Sequence, residues 1–172
     1  MAVGFNAVPS FDPADIFWSG LGALADARFR QSLDYVGLDF FPDVFRPIAA
    51  DQPADAVTAA LTAFRHTSLA QAGIPDTVPI RVCENGWPTG PGRTEQRQTA
   101  VLDTVIRTIA GLAANLNING YSLFALRDAD SNAEGLFHHF GFLHDDYTPK
   151  PAFATYRQLI KELSNSPAVS AR

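Results

Sequence analysis

The sequence predicts an α/β fold of four βα units built on a parallel sheet. Two observations predict it. Four short apolar runs, Ala2–Val8, Tyr35–Phe41, Ile80–Glu84 and Gly120–Phe124, start at spacings of roughly 33 to 45 residues, and helical patterns fill the later intervals. Strands that alternate with helices point to βαβ units. The runs are also short and nearly continuous in apolar character, as strands are when the outer face of their sheet is covered.

The elements follow in order. Phe11–Leu24, rich in Phe, Trp and Gly, reads as a long loop, and Ala25–Ser32 as a short helix. Pro53 stands where a first-turn proline belongs, ahead of Ala56, Val57, Ala60, Leu61 and Phe64, with Gly73 placed to end that helix. Thr94 precedes a longer helix whose Val101, Val105, Ile109 and Leu112 share one face. Pro151 opens a last helix with a stripe of Phe153, Tyr156, Ile160 and Leu163. Residues 1–163 read as one domain, and 164–172 turn to Ser, Asn, Pro and Ala, the composition of a frayed tail.

Composition narrows the function classes. With 172 residues, 47% hydrophobic and 18% charged, the chain suits one well-buried core. A net charge of -5 argues against nucleic acid or an anionic membrane as partner. No run reaches the roughly 18 apolar residues of a membrane span. The N-terminal Met1–Asn6 lacks the basic and long apolar regions of a secretory signal, so a cytoplasmic location is expected. The single cysteine, Cys83, excludes an internal disulfide framework. Strand alternation points Cys83 away from Glu84, which predicts a small residue packed under a helix.

The chemistry concentrates in Pro79–Thr89, where a short apolar strand stops on Glu84 and turns at Gly86 beside Trp87. A carboxylate at the carboxyl end of a buried strand is where a parallel α/β barrel places its reacting groups. A neighbouring aromatic suits the apolar face of a sugar ring. The competing reading of Glu84 is a structural carboxylate paired with Arg81 or Arg127. Asn85 either orients Glu84 or serves the turn, and Trp87 is either a sugar platform or a packed loop anchor. Arg127, Asp128 and Asp130 cluster after the last strand, either as an internal ion pair or as loop-ordering and substrate contacts. His138, His139, His144, Asp145 and Asp146 fit no zinc spacing and read as a packed lid, so no metal and no cofactor is expected.

Three stretches resemble the carboxyl-terminal half of retaining β-glycosidases of the large (β/α)8 clan that holds cellulase-like and β-glucosidase-like enzymes. Asp34–Pro42 looks like that clan's sixth strand, Ile80–Thr89 with its Glu-Asn-Gly-Trp like the seventh, and Gly120–Asp128 like the eighth. Gly135-Leu136-Phe137 and Asp146–Phe153 resemble the closing loop and final helix, and Val3–Asn6 would be the fifth strand. The resemblance implies a partial barrel, units (βα)5–8, and a carbohydrate substrate. It makes Glu84 the nucleophile, with Trp87, Asn85, Trp18, Phe124, Arg127 and Asp128 as substrate-binding candidates.

In the clan the acid/base glutamate follows an asparagine at the end of the fourth strand, and this chain contains no Asn-Glu dipeptide. Phe40 and Phe41 occupy the stretch where the clan often has a tyrosine supporting the nucleophile. Phe124 and Ala125 stand where a tryptophan commonly floors the sugar subsite. Four strands alone also leave two open edges and an uncovered inner face. Self-association or an amino-terminal half-barrel partner is therefore expected. The alternatives are a non-catalytic carbohydrate-binding or remnant half-barrel, and an open α/β sheet unrelated to glycosidases.

Overall fold

The computed structural model describes residues 1–12, 14–49 and 51–164. At its centre is a four-stranded sheet in the order β1-β2-β3-β4, made of β1 (Gly4–Ala7), β2 (Tyr35–Asp39), β3 (Ile80–Asn85) and β4 (Ile118–Leu123). Every pairing is parallel. Each strand lies within two or three residues of the run that predicts it. Around the sheet run α1 (Phe17–Leu24), α2 (Ala27–Gln31), α3 (Pro53–Ala63), α4 (Glu95–Leu112) and α5 (Pro151–Ser164). The tail expected over 164–172 falls, apart from Ser164, outside the described residues.

Alternation along the strands separates the two faces. Val36, Leu38, Ile80 and Val82 are wholly buried and share one core with Val57 and Leu61 of α3 and with Val101, Val105 and Ile109 of α4. The other face is small and polar. There Asn6 Nδ2 donates to Asp39 Oδ1 at 3.2 Å, and the Arg81 guanidinium lies 4.4 Å from the centre of the Tyr35 ring. Gly37 leaves room on this face for the Asn6 side chain and Cys83 Sγ, both of which a Cβ would meet.

Cys83 therefore does not pack under a helix. Alternation counted from Arg81 puts the thiol on the polar face, and the pairing register slips between Val82 and Asn85, so Glu84 is not set opposite it by a simple count. Burial first, then the nearby Asp39 charge, pushes the Cys83 thiol up.

The helices form for local reasons. Thr94 caps α4 by accepting from Arg97 N at 3.1 Å, and Asp26 caps α2 by accepting from Phe29 N at 2.7 Å. Pro53 begins α3 at its first turn, and the chain continues as a π-helical segment, Phe64–Leu69, before Gly73 turns it at φ +66°.

Part of the expected loop Phe11–Leu24 is instead α1. Its sequence, FWSGLGAL, lacks an apolar stripe of helical period, but tertiary packing supplies what the pattern lacks. The Trp18 ring meets Phe64 edge-on at 5.4 Å, and Gly22 lets the helix backbone approach Gln71 O more closely than a Cβ permits. In α5 the buried positions are Ala152 and Leu159. Ile160, expected in the stripe, is largely exposed. Among the described residues no helix is long and apolar enough to cross a membrane.

Arg65 closes the amino-terminal end of the sheet. Its buried guanidinium donates from Nε and Nη2 to Leu116 O at 3.0 and 2.9 Å, and from Nη1 to Val78 O at 3.1 Å. The lead-ins to β3 and β4 are thus held by one side chain from the π-helical segment. Desolvation holds its pKa below the usual arginine value. Arg65→Met leaves these carbonyls buried without donors, and we expect it to lower unfolding free energy by roughly 1–3 kcal/mol, measured by urea denaturation with an unchanged slope.

Candidate active site

Glu84 stands at the carboxyl end of β3, where the register break lets it pair with Asp39 at the end of β2. Phe40 N donates to Glu84 O at 2.7 Å, which fixes the backbone of this crossing point. Neighbouring strands lie about 4.7–4.9 Å apart, so the two residues are neighbours in the sheet, and the Asp39 charge acts on Glu84. Among the described residues the Glu84 carboxylate makes no hydrogen bond and no ion pair.

Neither expected arginine partner reaches it. Arg81 stacks on Tyr35 and donates to Asn119 Oδ1 at 3.3 Å, while Arg127 donates to Asp145 O at 2.9 Å and lies over the Tyr147 ring. Burial, and then the Asp39 charge, pushes the Glu84 carboxyl above the usual carboxylate range. Asp39 is also raised by burial, against the lowering effect of the Asn6 hydrogen bond. Asp39 is absent from the sequence candidates. The signal for it was its place at the carboxyl end of a strand that alternates Tyr35, Gly37 and Asp39 on one face.

Asn85 is 1% exposed. Its Nδ2 donates to Phe40 O at 2.6 Å, and its Oδ1 accepts from Tyr121 Oη at 2.7 Å. It ties together the ends of three strands. The turn that follows depends on Gly86, where a Cβ would run into Phe124 O.

Three phenylalanines crown this end of the sheet. The rings of Phe41 and Phe124 meet edge-on at 5.8 Å, Phe41 and Phe140 at 5.6 Å, and Phe124 and Phe140 at 5.4 Å. Phe124 is 39% exposed, so part of its ring is open to a ligand. Phe41 and Phe140 join it through tertiary contacts that sequence spacing does not show.

The two tryptophans sit elsewhere. Trp18 is 2% exposed and belongs to the core around Phe5 and Phe64. Trp87 is 3% exposed. Its Nε1 donates to Asp43 Oδ2 at 3.1 Å, and Arg93 covers its ring at 4.4 Å. The structure places both rings as packing anchors, leaving Phe124 as the exposed aromatic of the expected set.

Asp128 is buried, and its partner is Lys150, not Arg127. Lys150 Nζ lies 2.8 Å from both Asp128 oxygens and donates to Thr89 Oγ1 at 3.0 Å. Gly141 N and Ser131 Oγ also donate to the Asp128 carboxylate, at 2.8 and 3.0 Å. This closed polar knot binds the loops after β3 and β4 to the start of α5.

The histidines disperse. His139 Nε2 lies 2.9 Å from Ala133 O, and His144 Nε2 is 3.3 Å from Glu95 Oε1. Among the described residues no group of three His, Cys, Asp or Glu side chains could hold a metal ion.

The fold is glycosidase-like. Solved structures that match it include the β-glucuronidase of an uncultured Clostridium sp., with a TM-score of 0.58 and 17% identity, covering 76% of this chain and 23% of that one. The Lactobacillus rhamnosus β-glucuronidase matches with a TM-score of 0.54 and 21% identity, covering 74% and 22% of the two chains. That of Ruminococcus gnavus matches at 0.55 and 14% identity, covering 75% and 22%. The chain therefore spans less than a quarter of the length of these enzymes. No family model and no curated protein matches it.

Lys150→Met removes the cation from a buried pair and leaves Asp128 charged beneath the loops. Breaking such a pair from one side costs about 3–5 kcal/mol. We expect a fall of that order in unfolding free energy, read by chemical denaturation.

Proposed function

We infer that this chain supplies the nucleophile half of a retaining β-glycosidase site, with Glu84 as the attacking carboxylate. The observation that carries the reading is the position of Glu84: at the carboxyl end of a central parallel strand, beside Asp39, in a glycosidase-like fold. The favoured substrates are β-glucosides or related neutral pyranosides. The β-glucuronidases that share the fold act on a uronic acid by name, but the charge acting on Glu84 is that of Asp39. A second carboxylate suits a neutral ring better than a charged one.

In the double displacement, Glu84 attacks the anomeric carbon as the leaving oxygen departs with a proton, and water then releases the sugar from the glycosyl ester. The proton donor belongs about 5–5.5 Å from the nucleophile. We assign that donor to a segment outside this chain, in line with a half-barrel of units (βα)5–8. Support for the half-barrel comes from the sheet edges. β1 and β4 are the outer strands, and Val8, Phe11, Ile16 and Phe17, which follow β1, are exposed. A groove of about 340 Å³ lined by Ile106, Tyr121, Ile160 and Leu163 runs beside β4. A complementary set of four βα units would cover both.

A non-catalytic carbohydrate-binding half-barrel is the second reading. It is favoured by the lack of any hydrogen-bond donor to the Glu84 carboxylate among the described residues, with Phe40 and Phe41 standing nearby.

Labelling separates the two. A 2,4-dinitrophenyl 2-deoxy-2-fluoro-β-glucoside loses its leaving group without protonation, so its reaction tests the nucleophile independently of the acid. We expect a mass increase on the peptide containing Glu84 and none in Glu84→Gln. Absence of label, or label on a different residue, overturns the assignment.

The pH dependence is also specific. Attack needs ionised Glu84, and burial with the Asp39 charge raises its pKa. Asp39→Asn removes the like charge, lowers that pKa, and should move the acid limb of the labelling rate to lower pH. An unmoved limb would show that Asp39 does not act on Glu84.

A further inference from the structure

We propose that this chain pairs with a second copy of itself about a two-fold axis. The open edge at β1, with helix α1, meets the open edge at β4, with the groove between α4 and α5, and two such junctions close a barrel. The statement rests on the half-barrel part of the reading above and not on the chemistry of Glu84.

β1 and β4 are the outer strands of an all-parallel sheet, so each carries a row of backbone groups that no described strand pairs. Setting β1 of one copy against β4 of another continues the same parallel ladder. The side chains beside the two edges match as well. At β1, helix α1 is fixed on its inner side by Trp18, whose ring lies 6.3 Å from Phe5. Its outer side carries Ile16, Phe17 and Leu24, which are 77%, 52% and 87% exposed. Ile16 and Leu24 stand two steps of four apart, with Gly20 between them, so they share one helix face. They form an apolar ridge with nothing over it among the described residues. At β4, Ile106, Ala110, Tyr156, Ile160 and Leu163 line an apolar groove of about 340 Å³.

Charge favours a copy of this chain as the occupant. Residues 1–27 hold Asp12, Asp15 and Asp26 and no Lys or Arg, and all three acids are exposed. On the groove side, α5 exposes Arg157 and Lys161 around Ile160, while its one acid, Glu162, is paired with Arg107 Nη2 at 2.8 Å. An acidic ridge at one end of the sheet thus complements a cationic rim at the other. Strand number sets where such an assembly stops. Two unlike surfaces on one chain make a closed ring or an open filament. A parallel barrel filled by its own side chains has about eight strands, and each copy supplies four. The ring therefore closes at two copies, with every contact made twice.

Sedimentation velocity on the full chain tests this. A species of twice the 18.6 kDa chain mass is expected, with a Kd of about 1 µM or below. Leu24→Asp and Ile160→Asp change exposed side chains, so each should keep the parent's circular dichroism. Each should weaken pairing by about 100-fold or more, because one substitution spoils both junctions. An equimolar mixture of the two should recover association, since a mixed pair keeps one junction free of either substitution. If a variant fails to fold, Ile16→Asp replaces the first and Ile160→Ser the second.

A chain that stays monomeric at about 100 µM overturns the proposal and leaves the edges to a different chain. A filament overturns it too, as does a mixture that fails to associate. A dimer lost in Leu24→Asp but untouched by Ile160→Asp would mark a ridge-to-ridge pair and sink it equally. If the dimer forms as expected but no label appears on Glu84, the pairing stands and the glycosidase reading falls. If Glu84 is labelled in a monomeric chain, the reverse holds.

Discussion

The Asn85 side-chain amide is the interaction on which the working end of this molecule depends. It donates to Phe40 O and accepts from the Tyr121 hydroxyl, so one buried group joins the carboxyl ends of β2, β3 and β4. Burial makes the arrangement demanding, because an amide lacking either partner would carry an unmet polar group into the core. Glu84 precedes this fixed point and Gly86 follows it. The carboxylate therefore projects from a backbone that cannot slide relative to its neighbours, and the next turn passes against Phe124 because residue 86 lacks a side chain. The Tyr121 hydroxyl titrates well above its ordinary value because it is buried, so it keeps donating across the accessible pH range.

Polar side chains do the fastening at both ends of the sheet, with different chemistry. At the amino-terminal end Arg65 binds neutral carbonyls and keeps its charge without a contacting carboxylate. At the carboxyl end Lys150 and Asp128 compensate one another and are further satisfied by Thr89, Gly141 and Ser131. Both arrangements fill hydrogen-bonding capacity that burial would otherwise leave unmet. Glu84 and Asp39 are the exception. They are neighbouring carboxylates without a cation between them, and both are raised in pKa. Glu84 has no hydrogen-bond or ion-pair partner among the described residues, while Asp39 accepts from Asn6. Perturbed acids of this kind concentrate at functional sites, which is one ground on which Glu84 is proposed as nucleophile.

Much of the sheet was legible because its strands are apolar on the covered face and closely spaced in sequence. Helices α3 and α4 were legible through Pro53, Thr94 and their apolar stripes. The failures have physical causes. Helix α1 has two glycines and no helical stripe, and is held by Trp18 against Phe64, a contact that no local window contains. Cys83 was placed under a helix by setting it opposite Glu84, but the register slip lies between Val82 and Asn85, and alternation counted from Arg81 puts Cys83 on the polar face. Trp87 was read as either a sugar platform or a packed anchor and Trp18 as a substrate-binding candidate; both rings are buried, and Trp87 is also held by Asp43 and Arg93. The Asp128 partner lies 22 residues further on, beyond any local charge pattern. Glu84 was legible as a strand-end carboxylate, and Asp39 was equally so, but Phe40 and Phe41, which follow it directly, drew the reading of that stretch.

The aromatic crown bears on how this site would discriminate ligands. Phe41, Phe124 and Phe140 offer faces and edges but no hydrogen-bonding tip, unlike tyrosine or tryptophan. Recognition by such rings follows shape and desolvation, which separate ligands differing by a methylene only modestly. Hydrogen-bonding selectivity for hydroxyls must then come from Asn6, Asp39 and Glu84, or from a covering segment beyond this chain. Such a cover would also exclude water. Since burial is the leading cause of the raised Glu84 pKa, closing the site would strengthen both that effect and the repulsion from Asp39. The nucleophilicity proposed for Glu84 would therefore be a joint property of its strand end, its acidic neighbour and whatever closes over them.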